Sequence, residues 1–252
     1  MLTSQRKQYI LETLARDGQV VAKTISDTLG LSQDTIRRDL RELAKEGLLQ
    51  RVHGGALPAS PAMANFVQRE TISIDAKQAI GKKAAQLIEE GQVIFLDGGT
   101  TTAQLVQHLP PTLKATFVTH SATIAVGLAA HSTVDVILIG GRLFKHSIVS
   151  VGAAAIADIT KIRADIYFMG VTGVHPKVGL STGDYEEAQV KRALIQNAAE
   201  TIVLVSREKL GAASPFVIAN LSEISALIIE DSVPDEALRP YQELSVTIIR
   251  AN

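Results

Sequence analysis

The sequence predicts an α/β protein with three parts: a small winged helix-turn-helix domain (residues 1–57), a linker (58–72), and a larger doubly wound, largely parallel α/β domain (73–252). Two observations predict this class. The first 57 residues contain three amphipathic segments followed by a glycine-bearing hairpin, which is typical of a winged helix-turn-helix. Beyond residue 92, short apolar runs alternate with helical stretches, as in a sheet that helices cover on both faces.

The first two predicted helices each carry their apolar residues on one side. Ser4 to Arg16 places Ile10 and Leu14 on a single face, and Val21 to Leu29 is stopped by Gly30. The short connector after the second helix lets a third helix cross it. This arrangement projects the third helix into the major groove of DNA.

The third predicted helix, residues 32–46, separates apolar from charged side chains. Ile36, Leu40 and Leu43 share one stripe, while the opposite side is rich in arginine. Ser32 is a favoured N-cap because its hydroxyl accepts an otherwise unpaired backbone N–H. The pattern indicates a DNA-recognition helix; the alternative is a three-helix bundle whose charged face is merely solvated.

A two-stranded wing is predicted at residues 48–56, where a flexible Gly54–Gly55 pair lies beside Arg51 and His53. A wing of this kind touches the DNA backbone or the minor groove. The residues expected to contact operator DNA are Ser32, Gln33, Asp34, Thr35, Arg37, Arg38, Arg41, Lys45, Arg51, His53 and Gly54.

The linker holds two prolines among small residues and shows no helical or strand period. A helix over residues 74–90 is predicted next, with Lys77, Lys82 and Lys83 exposed. Seven strands are then predicted at 93–96, 116–119, 134–139, 165–169, 201–205, 226–229 and 246–249. Crossover helices are predicted at 101–108, 122–130, 153–159, 186–198 and 235–244.

In such sheets ligands collect at the carboxyl ends of the strands. The loop Asp97 to Thr102 follows a strand and opens a helix, so its free backbone N–H groups suit a phosphate or a carboxylate. It matches neither the P-loop nor the dinucleotide glycine pattern. The alternative is an ordinary strand-to-helix turn with a threonine cap. The candidate ligand residues in this loop are Asp97, Gly98, Gly99, Thr100, Thr101 and Thr102.

Further candidate ligand residues lie in three other segments. The glycines after the strand at 134–139 allow close backbone approach, and the arginine beside them can bind an oxyanion. Residues 165–184 form a flexible polar stretch that can wrap a hydroxylated ligand. A Glu–Lys pair at i and i+4 is either a solvent-exposed ion pair or a pair that faces a cavity. These candidates are Gly140, Gly141, Arg142, Thr182, Glu187 and Lys191.

Composition excludes several classes of protein. The chain has no cysteine, which excludes disulfides and thiolate metal sites, and its six histidines are scattered without metal-ligand spacing. We therefore expect no metal site and no cofactor. The N-terminus has no apolar signal segment and no stretch is apolar enough to span a bilayer, so we expect a cytoplasmic protein without a membrane partner.

Three segments of the N-terminal part carry a family pattern: Arg6, Ile10 and Leu14; the run Ser32 to Leu40 with its Thr-Ile-Arg-Arg-Asp core; and His53-Gly-Gly-Ala. Together they resemble the N-terminal signature of DeoR-type bacterial transcriptional repressors. The resemblance implies a repressor of a carbohydrate or sugar-acid catabolic operon, released from its operator by a phosphorylated sugar-like effector. It also implies a homodimer or homotetramer.

The C-terminal part of that family is similar to sugar-phosphate isomerases of the ribose-5-phosphate isomerase kind. The resemblance implies that residues 97–101 form a phosphate-cradling loop, that Gly140–Gly141 forms a second ligand turn, and that Glu187, Lys191 and Lys209 bind the effector.

The chain departs from the family pattern at several positions. Ser206 stands where aspartate is frequent, and His120 stands where asparagine is frequent. Val178–Gly179 occupies the place of the isomerases' catalytic lysine. The alternative function is an isomerase-like enzyme fused to a DNA-binding head, but the sequence shows no paired general acid and base, so no catalytic residue is assigned.

Overall fold

The computed structural model describes residues 2–60, 62, 64–244 and 246–252. The N-terminal head contains α1 (Thr3–Asp17), β1 (Val20–Val21), α2 (Ala22–Leu29), α3 (Gln33–Lys45), β2 (Leu49–Val52) and β3 (Gly55–Pro58). Its strands form an antiparallel sheet in the order β1-β3-β2. The predicted winged helix-turn-helix is confirmed, except that Val21 belongs to a short strand that pairs with the wing and not to the second helix.

Local signals fix the ends of α3. The Ser32 side chain accepts the N–H of Thr35 at 3.2 Å, as an N-cap does. Beyond the last turn, Gly47 adopts φ +74°, a left-handed conformation that favours glycine. Ile36 and Leu40 are buried against Ile10 of α1 in the core of the head.

An ion pair lies inside this apolar core. The guanidinium of Arg6 on α1 donates from Nε and Nη2 to the two carboxylate oxygens of Asp39 on α3, the Nη2–Oδ1 distance being 2.9 Å. Both side chains are buried, and the hydrogen bond to Asp39 raises the pKa of Arg6. The pair therefore joins the first helix to the inner face of the recognition helix.

The linker is more ordered than its composition predicts. β3 runs on into it as far as Pro58, and residues 66–70 form α4 (Phe66–Glu70), which Asn65 caps by accepting the N–H of Gln68 at 3.0 Å. The helix α4 was not predicted, because a segment of five residues gives too short a pattern to show a period.

The larger domain continues the chain. Its helices are α5 (Ile74–Ala85), α6 (Thr100–Gln107), α7 (Ala122–Leu128), α8 (Ala153–Ile159), α9 (Tyr185–Gln196) and α10 (Asp235–Gln242). Its strands are β4 (Val93–Leu96), β5 (Thr116–Thr119), β6 (Asp135–Leu138), β7 (Arg142–Phe144), β8 (Val149–Val151), β9 (Ala164–Gly170), β10 (Gly173–His175), β11 (Gly179–Thr182), β12 (Ala198–Val205), β13 (Phe216–Ala219), β14 (Ala226–Glu230) and β15 (Thr247–Ala251).

The seven predicted strands form one parallel sheet in the order β15-β14-β12-β9-β4-β5-β6. Apolar side chains of α5, α6 and α7 pack on one face, and those of α8, α9 and α10 pack on the other. The predicted doubly wound architecture is confirmed. None of the helices in the described part of the chain is long and apolar enough to cross a membrane.

Two details of the prediction are wrong. The helix predicted over 74–90 ends at Ala85, since the N–H of Glu89 bonds to the side chain of Gln92 instead of to a helix carbonyl. Lys77, predicted to be exposed, is buried and donates to the carbonyl of Arg69.

The stretch 165–184, predicted to be flexible, contains β10 and β11, which form an antiparallel sheet with β13. Its small residues are required by packing. A Cβ atom at Gly173 would lie 2.6 Å from the carbonyl oxygen of Ala212, and Gly179 has φ +86°. These glycines are signs of close packing, which a sequence pattern does not separate from loop flexibility.

Candidate functional site

The recognition helix presents the predicted basic side chains to solvent. Arg37, Arg38, Arg41 and Lys45 are exposed on α3, on the side opposite its buried stripe. A groove between α3 and the wing is lined by polar and basic residues, namely Lys23, Gln33, Arg37, Arg51, His53 and Gly54. The structure thus brings the recognition helix and the wing together. Lys23, at the start of α2, is an addition that sequence reasoning missed, because helix periodicity does not show which end of α2 faces the wing.

The N-terminal end of α3 holds an exposed polar cluster. The guanidinium of Arg37 lies 3.2 Å from Gln33 Oε1 and 3.4 Å from Asp34 Oδ1, and the hydroxyls of Ser32 and Thr35 are 3.0 Å apart. Donors and acceptors therefore alternate at the tip of the helix, as direct readout of base edges requires. The DNA contacts assigned to these residues stay predictions.

The wing is less flexible than its two glycines indicate. Gly54 makes the turn with φ +79° and is exposed, but Gly55 is buried against β1. A Cβ atom at Gly55 would lie 1.8 Å from the carbonyl oxygen of Val20. The wing is therefore fixed against the start of α2, and only its tip is free to adjust.

A cavity opens at the carboxyl ends of β4, β9 and β12 in the larger domain. Four basic and two acidic side chains line it: Arg69, Lys77, Lys191, Lys209, Glu187 and Glu208. The loop Gly98 to Thr102 and the side chain of Thr182 complete much of the wall. The excess of basic groups favours an anionic ligand.

Asp97 lies beneath the cavity and holds its charged groups in place. Its Oδ1 is 2.9 Å from His120 Nε2, and its Oδ2 accepts the N–H of Gly170 at 2.8 Å and the ammonium of Lys191. Burial opposes ionisation of Asp97, but Lys191 and the hydrogen bond from His120 outweigh it and lower its pKa to about 2. At neutral pH Asp97 is a fixed anion that orients Lys191.

His120 joins this network to a neighbouring loop. Its Nδ1 lies 2.9 Å from the carbonyl oxygen of Ser150, which can only accept a hydrogen bond. An ionised Asp97 on the other ring nitrogen also only accepts. Both ring nitrogens therefore face acceptor oxygens, and these two contacts fix the orientation of the ring.

Glu187 and Lys191 face the cavity, which decides between the two alternatives for this pair. Their closest charged atoms are 3.8 Å apart, and both side chains are buried. Thr182 Oγ1 donates to Glu187 Oε2 at 2.6 Å. Glu187 and Lys191 thus lie on the inner face of α9, and both line the cavity.

The N-terminus of α6 forms another side of the cavity. The N-cap is Gly99, which has no side chain, and the Thr102 hydroxyl bonds back to the Gly99 carbonyl at 2.9 Å. The hydroxyl of Thr101 is buried and has no hydrogen-bond partner among the described residues. A simple threonine-capped turn does not account for that unpaired hydroxyl, whereas an anion at the helix terminus does.

Lys209 and Arg69 contribute cations whose charge burial disfavours. Burial lowers the pKa of Lys209 to about 8, and it also lowers the pKa of Arg69. The Nε of Arg69 is buried without a hydrogen-bond partner among the described residues. Arg69, Lys77 and Glu208 were missed by sequence reasoning, because no motif surrounds them. Arg69 reaches the cavity from the folded linker, and Lys77 reaches it from α5.

Three predicted ligand residues lie elsewhere. Gly140, Gly141 and Arg142 do not line the cavity. Arg142 is exposed and pairs with Glu186, and Gly141 allows the chain to pass close to the Val151 carbonyl, 2.9 Å from a Cβ built on that glycine. The structure therefore gives these residues a surface and a packing role.

No group of three or more potential metal ligands occurs within residues 2–60, 62, 64–244 and 246–252.

Comparisons with known proteins cover both domains. The model of the DeoR-like helix-turn-helix domain matches residues 6–61, and that of the DeoR C terminal sensor domain matches residues 72–231. The chain is 33% identical to the HTH-type transcriptional regulator GlpR of Haloferax volcanii, over 99% of this chain and 98% of the relative. It is 30% identical to the glycerol-3-phosphate regulon repressor of Escherichia coli, over 93% of each protein.

Among solved structures, the chain is similar to ribose 5-phosphate isomerase A from Methanocaldococcus jannaschii, with 20% sequence identity and a TM-score of 0.41. The similarity covers 54% of this chain and 54% of the isomerase chain. The curated relatives named above are regulators, in agreement with the exposed recognition helix and the wing. The resemblance seen in the sequence is confirmed. The chain belongs to the DeoR family of DNA-binding transcriptional regulators.

Proposed function

We propose that this regulator represses a carbohydrate or sugar-acid catabolic operon and leaves its operator when a phosphorylated sugar-like effector occupies the cavity. The observation that carries the proposal is the unpaired, buried hydroxyl of Thr101 at the N-terminus of α6, next to the cations Arg69 and Lys209. A phosphate group supplies acceptor oxygens for these donors. The name of the Escherichia coli relative, a glycerol-3-phosphate regulon repressor, supports a phosphorylated ligand.

The opposite side of the cavity suits the hydroxyl groups of such a ligand. Glu187 accepts hydrogen bonds, Lys191 donates them, and Thr182 does both. We propose that residues 98–102 and Lys209 hold the phosphate, while Thr182, Glu187 and Lys191 select the sugar. Asp97 acts from beneath by orienting Lys191.

Repression requires that effector and operator affect each other's affinity. An effector that binds better to the form that does not bind DNA weakens operator binding by a coupling factor of about 5- to 150-fold. We propose residues 1–57 as the unit that reads DNA, with direct readout by Ser32 to Arg38 and backbone contacts by Arg41, Lys45 and the wing. Residues 73–252 sense the effector in the same compartment as the DNA, the cytoplasm.

Phosphate-ester binding is the test of this proposal. We expect one or more of ribose 5-phosphate, fructose 1-phosphate and sn-glycerol 3-phosphate to bind, and the unphosphorylated ribose, fructose and glycerol not to bind. Replacing Thr101 with valine should weaken binding about ten- to a hundredfold, because one hydrogen bond to a charged group is lost. Isothermal titration calorimetry measures both affinities.

The control variant is Thr112→Val. Thr112 is exposed and precedes β5, at the amino ends of the strands and so on the side of the sheet away from the cavity. It should leave the affinity unchanged. Valine fills about the same volume as threonine, and the Thr101 hydroxyl has no hydrogen-bond partner in the part of the chain that the structure describes. Thermal unfolding of Thr101→Val should therefore match the wild type. If no phosphate ester binds the wild type, or if Thr101→Val binds as the wild type does, the cavity does not hold a phosphate there.

Effector affinity is expected to fall at alkaline pH. Because the pKa of Lys209 is lowered to about 8, its ammonium is charged below that pH and neutral above it. A phosphate monoester, whose second pKa is about 6, stays a dianion across this range. The logarithm of Kd should therefore rise by up to about one per pH unit above pH 8.

Titrations between pH 7 and 9.5 measure this dependence. Lys209→Met should bind more weakly at pH 7 and show a flat profile, while the exposed lysine variant Lys82→Met should retain the wild-type slope. An equal slope in Lys209→Met would show that another group titrates.

We propose that the regulator acts as a homodimer, or as a homotetramer built from it, through the β6 edge of the sheet. Ile137, Leu138 and Leu143 expose 43%, 54% and 47% of their surface there, and Val126 on α7 exposes 75%. An edge strand with apolar side chains favours a protein partner. A second copy fits best, because operators usually contain two half-sites that two heads read.

The double variant Ile137→Lys/Leu138→Glu should convert the dimer to a monomer in light scattering. Leu244→Glu, an exposed leucine near the end of α10, should not. A dimer that persists in the double variant would place the interface elsewhere.

An enzymatic function is not favoured. The relatives that match nearly the whole chain are named as transcriptional regulators. Asp97, with its pKa at about 2, does not take up a proton at neutral pH, and Val178–Gly179 occupies the place of the isomerase lysine.

A further inference from the structure

The cavity is too small for the effector proposed above. The space that the centre of a water-sized sphere can reach is about 30 Å³. Since one water takes about 10–15 Å³ on this measure, the cavity has room for two or three waters. A sugar phosphate has on the order of ten or more heavy atoms, several times the two or three that this space holds. Part of the wall must therefore move before such a ligand enters.

The linker is the part of the wall that is held most weakly. Most of the lining belongs to the central sheet and to α6 and α9, whereas Ala62, Arg69 and Ile72 come from the linker. The hydrogen bonds that hold the linker are few: Ser60 Oγ donates to the Thr172 carbonyl, Phe66 N–H to the His146 carbonyl at 3.0 Å, and Arg69 Nη2 to Ser147 Oγ at 3.4 Å. The ammonium of Lys77 on α5 also donates to the Arg69 carbonyl. Breaking them costs less than moving a strand of the sheet.

Ser60 is the best-buried anchor among these contacts. Its side chain is 3% exposed, and its hydroxyl also accepts the N–H of Ala62 at 3.1 Å. Thr172, whose carbonyl it holds, lines the cavity itself and bonds through its own hydroxyl to Ser214 Oγ at 2.7 Å. The anchor therefore holds a residue of the cavity wall.

The other end of the linker is the wing. β3 ends at Pro58, whose carbonyl accepts the N–H of Ala213 at 3.4 Å, and Ala59 pairs with Ala213 in a parallel bridge. The strand that carries the wing is thus continuous with a strap, residues 58–60, docked on the effector domain. Docking fixes the direction in which the head leaves that domain.

We propose that this strap couples the cavity to the head: when docked, it closes the cavity and holds the head in the position that binds DNA, and effector entry releases it. A held head binds more tightly because less orientational freedom is lost on the operator. The nature of the effector rests on the proposed function, but the competition between docking and cavity opening does not.

Linkage gives this coupling a distinctive signature. A change that weakens docking lowers operator affinity in the absence of any ligand and raises ligand affinity, and the two fold-changes multiply to the factor by which docking is weakened. A substitution that merely damages one domain lowers one affinity and does not raise the other.

Ser60→Ala is the test variant, and Ser225→Ala is its control, since Ser225 Oγ accepts the N–H of Thr201 far from the strap. The operator is a duplex that the wild-type chain selects from a random pool. We expect Ser60→Ala to bind it more weakly without ligand and to bind the phosphate ester of the calorimetric screen more tightly. The two fold-changes should multiply to about 3 to 10, the value of one hydrogen bond. Operator and ester affinities that both equal those of the wild type and of Ser225→Ala would overturn the proposal.

A disulfide that locks the strap in its docked position tests the opposite change, stronger docking. It also tests the proposal in case Ser60→Ala does not fold. The chain has no cysteine, so Ala59→Cys/Ala213→Cys introduces a unique pair at bridged positions. When oxidised, this variant should stay on the operator in the presence of ribose 5-phosphate, fructose 1-phosphate or sn-glycerol 3-phosphate. It should also bind these esters at least about 10-fold more weakly than the wild type. Reduction of the disulfide should restore wild-type behaviour. Effector release of the oxidised variant would overturn the strap.

The two proposals fail separately. If the wild type binds none of the three esters, the proposed effector class fails, yet the operator affinities of Ser60→Ala and of the oxidised Ala59→Cys/Ala213→Cys variant, measured without ligand, still decide the strap. If the esters bind and release the wild type while Ser60→Ala keeps both wild-type affinities, the strap fails and the effector site stands.

Discussion

Replacing Arg37 and Arg38 with alanine is expected to weaken operator binding at least about 30-fold, since each arginine that contacts a base edge contributes about 1–3 kcal/mol. Both guanidiniums are exposed on α3, and the guanidinium of Arg37 hydrogen-bonds to the neighbouring side chains of Gln33 and Asp34, at 3.2 and 3.4 Å. The fold and effector affinity should therefore stay unchanged. Fluorescence anisotropy with the selected duplex measures the loss.

The matched control is Arg16→Ala/Arg239→Ala, which removes the same charge from two exposed arginines off the recognition helix. It should shift the affinity only slightly. If the lost side chains contact phosphates alone, the salt dependence falls by about one per arginine while sequence preference is kept. Operator affinity unchanged in Arg37→Ala/Arg38→Ala would exclude α3 as the recognition helix.

Replacing Asp39 with alanine is expected to destabilise the DNA-binding head by about 3–5 kcal/mol, because it leaves the Arg6 guanidinium buried without its partner. Asp39 has no exposed surface, and Arg6 is 5% exposed. Amide hydrogen exchange of α3 in the full chain measures the loss of protection. Exchange of the central sheet should not change.

Arg6→Met/Asp39→Leu is the informative companion. It removes both charges and fills the space with apolar groups, so most of the stability should return. A loss of less than about 1 kcal/mol in Asp39→Ala would mean that water reaches Arg6 and that the pair is not a structural link.

The elements that sequence reasoning predicted are those whose signal lies within the segment itself. Seven runs such as Val93–Leu96 are apolar throughout, and a strand buried on both faces requires that pattern. The ends of α3 were equally predictable, because Ser32 and Gly47 act on neighbouring backbone.

The elements that it missed depend on distant partners. β11 pairs with β13, which lies more than 30 residues further along the chain, and its small residues indicated only a loop. Arg69 reaches the cavity because α4 folds onto the loop at His146. Arg142 shows the reverse error: a cation beside two glycines indicated an anion site, yet Glu186 from another element takes up its charge.

The inner and outer faces of α3 have separate roles: the inner face packs in the core of the head, and the outer face is available to contact DNA. Ile36, Asp39 and Leu40 anchor the helix from within, whereas Gln33 and Arg37 make no contact on which the core depends. Outer positions can therefore drift in sequence without loss of stability. Related regulators that share one sensor architecture can diverge in target genes by this route, and grafting the outer residues of one onto another offers a way to rewire a genetic circuit.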